Sequence, residues 1–184
     1  MIRPAAAADV SAILEIYRPY IENTTITFEF EVPTPEKFAL RFRTITAQFP
    51  WLVWEEDGEI LGYAYADKAF ARAAYQWTAD LSVYLREDAR GRGLGRKLYE
   101  AVEDCIRRQG YRLCYGLVTE ENAGSCAFHL AMGYRQLAVF PRCAYKFGRC
   151  LGVIWFEKRL QDGVPEQPPV SWHQILQCKT EKED

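Results

Sequence analysis

What this 184-residue sequence lacks is the place to begin. It has only two histidines and six cysteines, and no CxxC pair or Cys/His spacing joins them. No metal site is therefore expected. An excess of positive charge is also missing, with 23 Lys and Arg against 25 Asp and Glu and a formal net charge of −2. No overall basic field argues for a nucleic-acid partner. No apolar run approaches the ~20 residues of a membrane span. The opening MIRPAAAADVSAILEIY carries Arg3, Asp9 and Glu15 where a signal peptide would be apolar. Cys105, Cys114, Cys126, Cys143, Cys150 and Cys178 are scattered, several on apolar faces. Reduced thiols in a cytoplasmic protein, with no membrane contact, are the expectation.

Apolar residues make up 49% of the chain, enough for one domain with a full core. Asp9 precedes Val10, Ile13, Leu14 and Tyr17 at helical spacing, and Pro19 predicts a bend or an end nearby. NTTITFEF (23–30) reads as a loop running into a short strand, and Thr34-Pro35 as a cap and first turn of a helix to about Gln48. PWLVWEEDGEILGYAYAD reads as a hairpin hinged on Asp57-Gly58, and WTADLSVYLRED (77–88) as a further strand. A helix over 93–109, a buried strand over 112–119, a helix over 123–133 ended by Gly133, and strands in YRQLAVF and CLGVIWFEKRL follow. This order predicts an α/β (α+β) fold: a mixed sheet with helices on its faces. Residues 1–160 read as one domain and 161–184 as a Pro-rich, charged tail, in which only SWHQIL has a docking pattern.

The densest local signal is ARGRGLGRKLYEAVEDCIRRQG (89–110), where glycines and arginines run into an amphipathic helix. A helix start leaves N–H groups unpaired and carries partial positive charge, so it binds phosphate groups. A Walker A loop is excluded, because Gly95 is followed by Arg96, Lys97 and Leu98. A dinucleotide fingerprint fails too: Gly91, Gly93 and Gly95 give G-x-G-x-G, with arginine next. R-x-x-G-x-G fits, as Arg90, Gly93 and Gly95, after a strand and before a helix. This pattern resembles the acetyl-CoA pyrophosphate loop of the GNAT superfamily of N-acetyltransferases. About 25 residues on, NAGSCAFHLAMGY (122–134) resembles the second motif of that superfamily.

A narrower resemblance runs over residues 2–160. NTTITFE, PWLV, RAAYQWT (72–78), SVY (82–84) and KFGR (146–149) are similar to the phosphinothricin and methionine sulfoximine N-acetyltransferases. The resemblance implies a GNAT fold with a mostly antiparallel twisted sheet flanked by helices on both faces. It further implies a homodimer that uses acetyl-CoA as donor to acetylate the α-amine of a small glutamate-like amino acid.

The site residues follow from the same resemblance, each beside a plainer reading. Alternation in WTADLSVYL puts Thr78, Asp80, Ser82 and Tyr84 on one strand face. Asp80 stands where the subfamily has Glu, ~1.5 Å shorter in reach, as a base acting through water or as a structural acid. Val83, Tyr84 and Leu85 occupy the strand that pairs with pantetheine, with a backbone N–H to polarise the thioester, or are ordinary core. Arg90, Gly91, Arg92, Gly93, Leu94, Gly95 and Arg96 would hold the pyrophosphate. Asn122, with Ser125 nearby, would bond the pantetheine arm, cap its helix, or do both. His129 is either the acid for the departing thiolate or a satisfied helix-face histidine. Arg72 with Tyr75 would take the substrate carboxylate, unless Arg72 is simply solvated. Phe28 and Glu29 would line the same pocket, joined by Lys146 and Arg149 from the same or the facing subunit. Two rival functions remain open: the same chemistry on a polyamine, an aminoglycoside or a protein N-terminus, and a non-catalytic acyl-CoA-binding module.

Overall fold

The computed structural model describes residues 1–180. Seven strands form one sheet in the order β1-β2-β3-β4-β5-β7-β6. They are β1 (Ile2–Pro4), β2 (Trp51–Glu56), β3 (Glu59–Lys68), β4 (Thr78–Leu85), β5 (Leu113–Thr119), β6 (Arg135–Lys146) and β7 (Arg149–Arg159). Every neighbouring pair is antiparallel except β4 and β5, which are parallel and joined through helix α3 (Leu94–Gln109). Among the described residues no helix is long and apolar enough to cross a membrane.

The two-residue side-chain period of β3 and β4 sorts the helices onto opposite faces. Tyr63, Tyr65 and Asp67 share a face with Ser82, Tyr84 and Asp80, because these residues are direct cross-strand partners. That face receives α1 (Val10–Asn23) and α2 (Pro35–Thr46): Tyr17 and Tyr20 meet Tyr84 edge-on, and Phe38 and Phe42 pack on Trp51. The opposite face carries Ala64, Ala66, Ala79 and Leu81, all buried. Those alanines let α3 lie close across β3 and β4 and bury Leu98, Tyr99, Val102 and Ile106. Each buried aliphatic side chain contributes about 1.5–3 kcal/mol over exposure.

The turn at Asp57 and Gly58 has φ of +52° and +80°, the two left-handed residues a tight hairpin needs. Thr34 accepts the N–H of Lys37 at 3.3 Å and caps α2, which ends at Thr46.

Three expectations need correction. Asp9 stands at the N-cap position of α1, but its carboxylate makes no bond to a helix N–H and instead accepts the N–H of Ala6 at 2.7 Å, closing a short 3-10 turn (Ala7–Asp9). Pro19 lies inside α1, which ends nearby at Asn23; a proline removes a helix bond and crowds the carbonyl four residues back. Residues 24–34 form no strand, since Thr27 is held by side chains, its Oγ1 lying 2.6 Å from the Tyr17 hydroxyl. Finally, β6 continues past Pro141 to Lys146, through an irregularity between Phe140 and Ala144 and a left-handed Arg142. An edge strand tolerates proline because one side of it has no ladder to lose.

The C-terminal segment docks through α5 (Trp172–Thr180). Trp172 and Ile175 are buried, and Gln109 donates to Gln48 O at 2.7 Å and Val170 O at 2.8 Å. Trp172→Ala should therefore lower the unfolding free energy by about 3 kcal/mol, read from a denaturant midpoint. An unchanged midpoint would mean that α5 rests on the domain without completing its core.

Candidate active site

β4 and β5 pair over three residues only, Thr78–Asp80 against Leu113–Tyr115. Beyond Tyr115 they part, and the gap becomes a cleft. Its walls are Leu81–Tyr84 on one side and Leu117–Thr119 on the other, closed by Tyr99 of α3 and by Asn122, Ser125 and His129 around α4 (Ala123–Ala131). The Arg86 N–H bonds Leu61 O at 2.9 Å, which sets the alternation of the β3–β4 ladder. Ser82 and Tyr84 turn their backbone groups toward β3, whereas Val83 and Leu85 turn theirs into the gap. The Tyr20 hydroxyl satisfies Leu85, donating to its carbonyl at 2.6 Å and accepting its N–H at 3.2 Å. Among the described residues nothing bonds the Val83 N–H and C=O, which face the cleft.

From the end of β4 the chain makes a 3-10 turn (Glu87–Ala89) and then the glycine-arginine loop. Gly91 and Gly93 have φ of +74° and +78°, a region that resists L side chains. Gly93 is the N-cap of α3 and offers no side chain, so the first N–H groups of the helix stay available. A Cβ on Gly95 would meet only ordinary contacts, Leu85 Cδ1 at 3.5 Å, so the protein's own packing does not require that glycine. Leu94 is buried beside Leu61 and Ala89 and pins the helix start. Arg92 is paired with Glu56 at 2.8 Å and Arg96 with Glu100 at 3.5 Å. Arg90 lies 5.1 Å over the Tyr20 ring, outside every ion pair among the described residues. Free N–H groups, left-handed glycines and an unpaired guanidinium fit the diphosphate of a coenzyme A donor.

Asp80 sits on the other face of β4, directly opposite Asp67 and in register with Tyr115. Its Oδ1 is buried with no hydrogen-bond partner. Burial first, then the charge of Asp67, pushes its pKa up to about 7, while the Leu81 N–H acts the other way. Glu29 is already matched: it accepts from Arg41 at 2.6 and 3.2 Å and from the Tyr17 hydroxyl at 3.0 Å. Phe28 beside it is 36% exposed. Arg72 and Tyr75 stand just before β4 and outside the cleft walls. Tyr75 packs on Phe70 with ring centroids 4.7 Å apart, and the Arg72 side chain makes no ion pair or hydrogen bond among the described residues. Lys146 is buried within its own chain, donating to Thr27 O at 2.8 Å, and Arg149 pairs with Glu121.

Asn122 accepts the Ser125 N–H at 3.1 Å, so it caps α4. Its amide N–H groups have no partner among the described residues. His129 is buried, with Nδ1 2.8 Å from Ser125 O and Nε2 3.0 Å from the Tyr99 hydroxyl. A carbonyl only accepts, so Nδ1 carries the proton and Nε2 accepts from Tyr99. Desolvation holds the ring's pKa below its ordinary value. His129 is thus a neutral ring with both nitrogens engaged.

A phosphinothricin N-acetyltransferase of Streptomyces viridochromogenes is 32% identical over 167 residues, 91% of each chain. An L-methionine sulfoximine/L-methionine sulfone acetyltransferase of Pseudomonas aeruginosa is 34% identical over 164 residues, covering 86% of this chain and 94% of its own. The crystal structure of a GNAT-superfamily phosphinothricin acetyltransferase from Sinorhizobium meliloti, in complex with AcCoA, superposes with a TM-score of 0.86 at 33% identity, over 91% of this chain and 92% of that one. With the cleft and helix start just described, these likenesses define the class: an acetyl-transferring enzyme. Residues 2–155 match the acetyltransferase (GNAT) domain, and the chain belongs to that family.

The structure brings Val83, Tyr84, Asn122, Ser125 and His129 to one cleft. Tyr99, Tyr20 and Asp67 escaped the sequence reading because each looks like core or strand until register and helix packing are known. A carboxylate with one oxygen buried and unpartnered also has a thermodynamic signature. In the unfolded chain Asp80 loses its proton near pH 4, in the folded protein near pH 7. The native state binds the extra proton between those values, so stability falls as pH rises through that window and stays lowered above it. Asp80→Asn should therefore raise the melting temperature by several degrees at pH 8, and the gain should vanish near pH 4. A gain that is the same at both pH values would mean the carboxylate is not desolvated.

Proposed function

We propose that the protein is an acetyl-CoA-dependent N-acetyltransferase acting on the α-amine of a small glutamate-like amino acid of phosphinothricin or methionine sulfoximine type. One observation carries this reading. Val83's free backbone edge lies between a helix start suited to a diphosphate and a buried carboxylate able to take an amine's proton. The naming of the relatives supports the substrate class.

Bound in the cleft, acetyl-CoA supplies the acetyl group as a thioester. Val83 holds the pantetheine arm as an added strand, and its N–H polarises the thioester oxygen. The N–H groups around Gly93, with Arg90, hold the diphosphate. Asn122 uses its free amide N–H groups on the same arm while its oxygen caps α4. Asp80 removes the proton of the substrate ammonium, and a base that titrates near the working pH suits that task. Its short side chain acts through a water. His129 fixes the Tyr99 hydroxyl at the cleft wall by accepting its hydrogen bond at Nε2, and the departing thiolate takes its proton from solvent. Arg72 and Tyr75 take the substrate carboxylate, with Phe28 as a wall; Glu29 serves by holding Arg41.

Two subunits associate through the side of the sheet around β6, where Leu137, Val139, Phe140, Tyr145 and Phe147 are exposed. Among the described residues Cys114, Cys126, Cys143 and Cys150 form no disulfide, which suits a reducing cytoplasm.

Thiol release from acetyl-CoA, measured on phosphinothricin, methionine sulfoximine, methionine sulfone, ordinary amino acids, spermidine and an aminoglycoside, tests the reading. Turnover should be confined to the glutamate-like amino acids, and Asp80→Asn should lower kcat on the order of 100-fold. Arg72→Ala should raise KM for the amino acid with little change in kcat. Turnover on spermidine or the aminoglycoside instead would keep the donor and discard the substrate. Acetyl-CoA binding with no turnover on any amine would make the chain a binding module.

A further inference from the structure

Asp67 has no place in the chemistry above, yet it faces the proposed base. Asp67 and Asp80 are direct partners in the antiparallel β3–β4 ladder. The alternation set by the Arg86–Leu61 bond makes theirs a hydrogen-bonded pair, with Cα atoms about 5.5 Å apart and both side chains on one face. Neither carboxylate enters an ion pair among the described residues. Asp80 Oδ1 is buried and unpartnered, whereas Asp67 Oδ1 accepts the N–H of Lys68 at 2.7 Å. Two carboxylates thus sit opposite each other on neighbouring strands, Asp80 with its Oδ1 buried and Asp67 half-buried at the edge of a groove, and neither is paired with a cation.

We propose that Asp67 is a positioning residue for the proton: its carboxylate, facing Asp80 across the ladder, makes Asp80 a stronger base than burial alone would. The inference rests on Asp80 being the base. Two like charges this close cannot both form freely, so the charge on Asp67 raises the proton affinity of Asp80, which takes a proton readily when an ammonium arrives.

The other groups around the pair leave this coupling in force. Tyr65 and Ser82 on the same strands, Tyr84, and Tyr99 from α3 are neutral phenols or hydroxyls. Burial raises the pKa of the three tyrosines. Tyr17 of α1 is likewise raised, to about 12. Tyr115 of β5, in register with Asp80, is raised too. On the Asp67 side, Tyr111 is pushed up to about 12, and Lys37 and Arg41 of α2 line the adjoining groove. Arg41 draws the Asp67 pKa down, but burial outweighs it and the net shift is upward. The guanidinium itself is committed to Glu29.

The test is the pH dependence of kcat/KM, with the best amine from the panel, for the wild type, Asp67→Asn, Asp67→Glu and Asp80→Asn. Asparagine keeps the shape of Asp67 and an acceptor for the Lys68 N–H while removing the charge. The acid limb in Asp67→Asn should move down by about one pH unit, and the plateau should fall about threefold because the base is weaker. Asp67→Glu should return the limb toward the wild-type position. An unmoved acid limb in Asp67→Asn, with Asp80→Asn inactive, overturns the role of Asp67 and leaves the base standing. Full activity in Asp80→Asn removes the base itself, and this inference with it.

Discussion

The parting of β4 and β5 is the constraint on which the rest of the molecule depends. The two parallel strands pair through Asp80 and Tyr115 and then separate. The His129 ring sits against Gly116, the next residue of β5, so closely that a Cβ there would lie 2.3 Å from Nε2. The imidazole also stacks on Phe156, with centroids 5.2 Å apart. It wedges the lower end of the cleft, and the free edge at Val83 exists only because β5 is no longer beside it. A helix laid across β3 and β4, rather than a continued β4–β5 ladder, stabilises the sheet at that point.

The same strand also separates two opposite electrostatic environments. At the Leu85 end lie the helix start, Arg90 and the left-handed glycines, all favouring an anion. Five residues back, Asp80 and Asp67 form a cross-strand acidic pair, about 17 Å away at the rise of an extended chain. Val83 lies between them. A linear substrate with an anionic tail and a reactive head is thus oriented by charge before any side chain reads its shape.

Much of this was legible in the residues themselves. Thr34-Pro35, Asp57-Gly58 and the Gly93 entrance to α3 act through local chemistry, and each element begins or turns where those residues stand. Alternation over Thr78–Leu85 likewise placed Asp80 and Val83 on opposite faces. What escaped depends on partners far along the chain. Strand β1 is only three residues long and exists because β2 offers it an edge. The continuation of β6 past Pro141 depends on β7, and the commitment of Glu29 depends on Arg41 of α2. Asp67 is one acid among many until register sets it opposite Asp80. His129 stands at the motif position expected of a proton donor, but only the packed structure reveals that both its nitrogens are occupied.

The Tyr20 hydroxyl, which both donates to and accepts from Leu85, ends the free edge of β4. Any extended ligand lying along that edge finds backbone partners at Val83 and none two residues further on. The phenol therefore works as a stop gauge, setting the register in which a chain-like ligand seats itself. Where the ligand's anionic end arrives, and how deep its other end reaches toward Asp80, are measured off from one oxygen atom on α1.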